Sequence, residues 1–185
     1  MSDEELLRRA RGGDREALND LLASCRDGVV RFVTAIIGEP SEAEDVFQIV
    51  CEAVQTGLSR FEGRSAFSTW VYQIALNQAR RVQRNRARHA RPSDPETLDA
   101  ARAKGRGVLS SIYRRELHES IDHAVGGLPS SLKEAFVLRY LEGKDYDEIA
   151  EITGVTANTL YVRAHRARSL LKAALGPVVD SFWTE

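Results

Sequence analysis

Apolar residues recur at three- and four-residue spacing through most of the chain, and no β-branched run alternates between Gly or Pro boundaries as a strand would. The pattern predicts an all-α protein. Candidate helices run from Asp3 to Arg11, Asp14 to Ile37, Ser41 to Leu58 and Ser68 to about Arg88. Their stops are Gly12-Gly13, Gly38-Glu39-Pro40 and Gly57, and Ser41 with Glu44 has the spacing of a capping box. Past Arg91 the periodicity lapses in RPSDPETLDAARAKGRG, whose Pro92, Pro95, Gly105 and Gly107 suit a flexible tether. Helices resume from Tyr113 to Val125, from Pro129 to Glu142, from Asp145 to Thr153 and from Thr156 to Leu175, closed by Gly176-Pro177. Two small helical domains are therefore expected, 1–91 and 113–176, joined by a linker at 92–112 and followed by a short tail at 177–185.

Charge is distributed unevenly. The net charge of -1 hides a first stretch, Met1 to Gln55, with twelve Asp or Glu against six Arg. From Arg60 to Arg91 there are eight Arg and a single acid, Glu62, and Thr156 to Leu175 carries Arg163, Arg166, Arg168 and Lys172 with no acid. Two basic segments suit a polyanion held at two places, and the acidic stretch suits a basic partner. No apolar run approaches the roughly 20 residues that span a bilayer, and the acidic, amphipathic start is unlike a secretory signal, so a cytoplasmic protein is expected. Cys25 and Cys51 form no CxxC pair and read as free thiols in a reducing compartment.

The segment YDEIAEITGVTANTLYVRAHRARSLL has helix-turn-helix spacing. Ala150 allows close approach of the two helices, Gly154 takes the positive φ of the turn, and Leu160 plugs the core between them. Leu160, Ala164, Ala167 and Leu171 make an inward stripe. Asn158, Tyr161, Val162 and His165 then project outward, where base edges would lie in a major groove, flanked by Arg163, Arg166 and Arg168 for phosphates. A second constellation precedes the tether. FSTWVYQIALNQARRVQRNRARHAR interleaves Phe67, Trp70, Tyr72 and Asn77 with Arg80, Arg81, Arg84 and further arginines, a combination that suits unstacked bases on rings and backbone on guanidinium groups. Part of Trp70 is expected in the core.

In this order the parts resemble the extracytoplasmic-function class of sigma-70-type sigma factors, from about Asp14 to Leu175. The resemblance is carried by EAEDVFQIV, FEGRSAF, STWVYQIALNQARR and LPSSLKEAFVLRYLEGKDYDEIAEITGVTANTLYVRAHRARSLL. It implies domains of the σ2 and σ4 kinds. It also implies core RNA polymerase as partner: the family's acidic motif falls on Glu42-Ala43-Glu44-Asp45 with Gln48, which would dock on the β′ clamp helices, while σ4 would meet the β flap. Ile49 departs from the family's polar pattern there.

By the same resemblance, the loop containing Arg60, Phe61, Gly63, Arg64 and Phe67 would shape a pocket for a base flipped from the -10 promoter element. The following helix, with Trp70, Tyr72, Asn77, Arg80, Arg81 and Arg84, would contact that element. Asn158 to Arg168 would read the -35 element, with Tyr161 and Val162 where the family commonly has Lys and Ser. Promoter DNA and an anti-sigma factor are further implied partners, and no cofactor, metal or small-molecule substrate is expected. An ordinary helix-turn-helix regulator explains only the C-terminal half of this pattern. An enzyme lacks support from any GxxxxGK[ST], GxGxxG or HExxH motif, and His118 and His123 are wrongly spaced for a zinc pair on one helix face.

Overall fold

The computed structural model describes residues 2–89 and 120–176, and every regular element among them is helical. The expected linker at 92–112, the start of the helix expected at Tyr113, and the tail at 177–185 lie outside the described residues.

In the first domain α1 (Asp3–Arg11) is capped by Ser2, and α2 (Arg15–Ile37) by Asp14, whose carboxylate accepts from the Ala17 amide at 3.2 Å and pairs with Arg9 at 2.7 Å. Gly38, left-handed at φ 80, ends α2 by donating its N–H to the Thr34 carbonyl. α3 (Pro40–Gly57) has Glu39 as its N-cap and so starts two residues earlier than the capping-box spacing suggests. Pro40 occupies the first turn, where its missing N–H and fixed φ cost nothing, and the Ser41 hydroxyl donates to the Glu39 carboxylate instead of capping the helix. A short 3-10 turn, Leu58–Arg60, leads through the loop to α4 (Phe67–His89). α2 packs against both α3 and α4, and α3 against α4. Between them Val29, Phe32 and Val33 meet Val50, Val54, Val71, Ala75, Leu76 and Ala79, all fully buried.

The second domain begins with α5, described over 120–126, and α6 (Ser130–Phe136), which continues as a π turn, Val137–Leu141. α7 (Tyr146–Thr153) and α8 (Ala157–Leu175) follow. The Asp145 side chain accepts from the Glu148 amide at 2.8 Å and the Glu148 carboxylate accepts from the Asp145 amide at 3.2 Å, a complete capping box. Gly154 at φ 72 turns α7 into α8. The expected stripe Leu160, Ala164, Ala167 and Leu171 is buried, against a core that includes Phe136, Leu138 and Ile149.

The two domains pack on each other through α4 with α7, and through α2 with α6 and the π turn. No helix among the described residues is long and apolar enough to cross a membrane.

The two caps make a direct test. Asp145→Ala should cost about 1 kcal/mol in denaturant unfolding, as cap removal typically does, whereas Ser41→Ala should cost close to nothing because Ser41 caps no helix. Equal losses would contradict this account of the two helix starts.

Candidate nucleic-acid interface

The loop from Arg60 to Ser65 is held open over an aromatic cluster. Phe61 stacks on Trp70 with ring centroids 4.7 Å apart and planes at 21°, and Phe67 meets both rings edge-on. Arg60, Glu62, Gly63, Arg64 and Ser65 complete a cleft of about 270 Å³ floored by Phe61 and Trp70. Gly63 takes φ 74, a conformation that side-chain-bearing residues rarely adopt, and the Arg64 guanidinium pairs with Glu62 at the rim. Phe61 and Phe67 are buried, Trp70 is half-buried, and Arg60 and Arg64 are exposed. The rings thus form floor and support, with cations above them.

One contributor escaped sequence reasoning. Arg11, at the end of α1, donates to the Phe61 carbonyl and lies 5.5 Å over the Phe61 ring, so α1 buttresses the loop from 50 positions away. Nothing in the spacing of α1 signals that contact.

Along α4 the expected contacts divide by face. Asn77, Arg81 and Arg84 are exposed. Tyr72 is buried, tilted against Phe32 at 5.5 Å, and donates its hydroxyl to the Glu142 carboxylate at 2.7 Å. It does not face solvent in this arrangement. Burial, then the hydrogen bond to Glu142, raises its hydroxyl well above the usual phenol range. Arg80 is half-buried in a two-pronged pair with Glu134, at 2.9 and 2.7 Å. Toward the end of α4, Gln83 and Arg86 donate to the Ile36 and Ile37 carbonyls, which satisfies the last turn of α2, and Arg86 also pairs with Glu42 at 2.7 Å.

α3 carries the acidic residues, and its Glu42 joins it to α4 through Arg86. Asp45 and Gln48 are exposed, with Ile49 beside them at 45% exposure. Glu44 accepts from the Arg26 guanidinium at 2.8 Å through both oxygens, so it and Glu42 are partly neutralised, while among the described residues Asp45 is not drawn into an ion pair. Burial raises the thiols of Cys25 and Cys51, which favours their protonated form.

On α8, Asn158, Tyr161, Val162, His165 and Arg166 are exposed, and Arg163 and Arg168 are half-buried along the flanks. Tyr161 packs edge-on against Tyr146 of α7 at 5.7 Å and stacks toward His165 at 6.3 Å. The Arg139 guanidinium sits 5.1 Å over Tyr146. Tyr146 therefore fixes the direction in which Tyr161 leaves the helix, a role that helix-turn-helix spacing alone does not reveal. Among the described residues, no group of His, Cys, Asp or Glu could hold a metal ion.

Comparison with known proteins identifies the family. A family model for Sigma-70 region 2 matches residues 21–89, and one for Sigma-70, region 4 matches residues 118–171. The RNA polymerase sigma-H factor of Pseudomonas aeruginosa is 30% identical over 184 residues, covering 96% of this chain and 95% of that protein. The ECF RNA polymerase sigma-E factor of Escherichia coli is 30% identical over 187 residues, covering 97% of each. Among solved structures, CnrH in complex with the cytosolic domain of CnrY superposes with TM-score 0.72 at 23% identity, covering 94% of this chain and 96% of that one. The sigma factor RpoE in complex with the anti-sigma factor NepR, from Bartonella quintana, gives TM-score 0.70 at 23% identity, covering 86% and 97%. With both regions matched and whole-length relatives at this identity, the chain belongs to the extracytoplasmic-function class of sigma-70-type sigma factors, the alternative sigma factors that direct RNA polymerase to promoters.

Proposed function

We propose that the chain works as two DNA-reading units, 1–91 and 113–176, with separate residue sets for polymerase, for the -10 element and for the -35 element. The cleft over Phe61 and Trp70 carries this reading. At about 270 Å³ it falls just under the roughly 300 Å³ at which drug-sized pockets begin, which suits a fragment such as one nucleobase. Its floor is aromatic and its rim cationic, as capture of an unstacked base requires.

Exposed Asp45 and Gln48, with Glu42 and Glu44 behind them, serve as the docking face for the β′ clamp helices, and Ile49 adds an apolar contact at its centre. Arg60 and Arg64 hold the backbone of the flipped nucleotide, Gly63 and Phe67 shape the loop, and Asn77, Arg81 and Arg84 continue the track along α4. Arg80 joins that track once its pair with Glu134 opens. Tyr72 acts from within the core, by positioning α4. Flipping a base costs a few kcal/mol and stacking returns about 1 to 3 kcal/mol per base, so capture offsets much of the cost of opening. On α8 the base-reading set is Asn158, Tyr161, Val162 and His165, with Arg163, Arg166 and Arg168 on phosphates.

This chain makes and breaks no bond, and polymerase performs the chemistry in the cytoplasm. The complex of the Bartonella RpoE with the anti-sigma factor NepR supports an anti-sigma factor as a further partner, and the β flap is the expected polymerase contact of the second domain.

Base capture is tested by Arg64→Glu and Asn77→Ala, both exposed and so harmless to the fold. Each should retain polymerase binding yet lower permanganate reactivity of thymines near the start site by about tenfold, and recover on a template with an unpaired bubble at the -10 element. Normal thymine reactivity on duplex promoter in both variants would remove this segment from strand opening.

Groove reading is tested separately. Tyr161→Ala or His165→Ala should change the preferred -35 sequence by about 1 to 3 kcal/mol at one position, whereas Arg166→Ala should weaken all promoters alike and lower the salt slope by about one charge. Selection from a randomised -35 library that returned the wild-type motif for both outward-face variants would refute the orientation of α8.

A further inference from the structure

Two buried carboxylates of the second domain are spent on cations and a hydroxyl of the first. Glu134, on α6, has a side chain only 7% exposed and grips the Arg80 guanidinium with both oxygens. The side chain of Glu142, after the π turn, is 3% exposed. It accepts from the Tyr72 hydroxyl at 2.7 Å and from Arg31 at 3.2 and 3.3 Å. The Lys144 ammonium lies 5.1 Å from the centre of the Tyr72 ring, and Gln73 donates to the Glu151 carbonyl at 3.4 Å.

Gly28 makes room for this network. A Cβ there would collide with the Tyr72 hydroxyl and come within 3.0 Å of a Glu142 oxygen. A glycine inside a helix is otherwise unfavourable, so its place in α2 is explained by the close approach of the second domain.

This packing conflicts with simultaneous reading of two promoter elements. Elements named -10 and -35 lie about 25 base pairs apart, roughly 85 Å along a duplex at 3.4 Å per step. In the structure α7, half of the -35 reader, packs directly on α4, half of the -10 reader. α4 itself has 23 residues, about 35 Å of helix at 1.5 Å per residue. Both elements can be occupied only after the α4–α7 contact breaks.

We propose that Glu134 and Glu142 form an internal latch that holds the free chain closed, with Glu134 occupying Arg80 in the way a DNA phosphate would. A carboxylate and a phosphate present the same paired oxygens to a guanidinium, so the latch is a competitor built into the chain. Both carboxylates are desolvated and paired, which makes removal of their partners unfavourable and couples opening to replacement of those partners. Polymerase, by separating the two domains, exposes Arg80 for the -10 strand. This inference rests on the promoter-recognition reading above.

The test uses the full chain. Glu134→Gln with Glu142→Gln keeps the shape of both side chains and removes their charge, and Gly28→Ala opens the same interface by collision while improving the helix. Neither replaces a residue assigned to DNA or polymerase, and both act on the partners of Arg80 and Tyr72. Without polymerase, both variants should bind a single-stranded -10 oligonucleotide about tenfold tighter than the parent chain. Resonance energy transfer between dyes at Gln55 and Ala173 should report a longer distance in both.

In a second arm, a cleavable bis-maleimide between Gln73→Cys and Glu151→Cys, in a Cys51→Ser background, should abolish promoter binding by the polymerase complex until the linker is cut. Unchanged oligonucleotide affinity and unchanged dye distance in both opened variants would overturn the latch, as would full promoter binding by the cross-linked chain. Polymerase-dependent transcription by the parent chain, measured alongside, separates the two failures. If it is present while the latch tests fail, only the latch is wrong. If it is absent, the promoter-recognition reading falls and the latch with it.

Discussion

Everything that distinguishes this molecule depends on how α4 is packed. Ala75 and Ala79 are fully buried, and with Val71 and Leu76 they let α4 lie close against α2 and α3. Small residues at four-residue spacing draw helix axes together while Leu76 supplies the volume, and truncating a buried leucine of this kind costs about 2 to 5 kcal/mol. With that side committed to the core, Asn77, Arg81 and Arg84 are forced outward, and the start of the helix is placed so that Trp70 floors the cleft beneath the loop. The same rotation about the helix axis turns Tyr72 and Arg80 toward the second domain. One packing decision thus sets the cleft proposed for a base, the basic track and the contact between domains.

Electrostatics then assign the cations to competing partners. Exposed pairs such as Arg64 with Glu62 are worth little and exchange readily with phosphate, whereas Arg80 with Glu134 is sheltered and exchanges only when the domains part. The rim of the cleft is therefore available at once and the deeper cation later. A protein meant to bind promoters only with polymerase benefits from that order, because free binding to DNA is dominated by such phosphate contacts. The exposed Asp45 and Gln48 stand on a different helix from Asn77, Arg81 and Arg84, and the two helices are joined where Glu42 pairs with Arg86.

The helix-turn-helix was legible in the sequence because its determinants are local. Ala150, Gly154 and the stripe from Leu160 to Leu171 sit within a few turns of one another, and the periodicity of one helix suffices to place them. The cap at Asp145 with Glu148 follows the same local logic. Ser41 and Glu44 carry that spacing too, but Pro40 had already taken the first turn, a case where two local signals compete and the covalent constraint wins. Tyr72 and Arg80 read as members of an aromatic and basic stripe, and their burial depends on Glu142 and Glu134, 70 and 54 positions away. No periodicity reports contacts of that range. Arg11 beside Phe61 and Tyr146 against Tyr161 were hidden for the same reason: each supports its neighbour from another element.

The central claim is that one chain reads two separated promoter elements at once, through α4 and through α8. Placing a photoreactive amino acid at position 77 in one preparation and at position 161 in another, each in the polymerase complex on a promoter, measures this directly. The account predicts cross-links on the same promoter centred about 25 base pairs apart, roughly 85 Å of duplex, with the position-77 adduct on the opened strand and the position-161 adduct on duplex. Adducts from both positions within one turn of the duplex, or from position 161 alone, would contradict it.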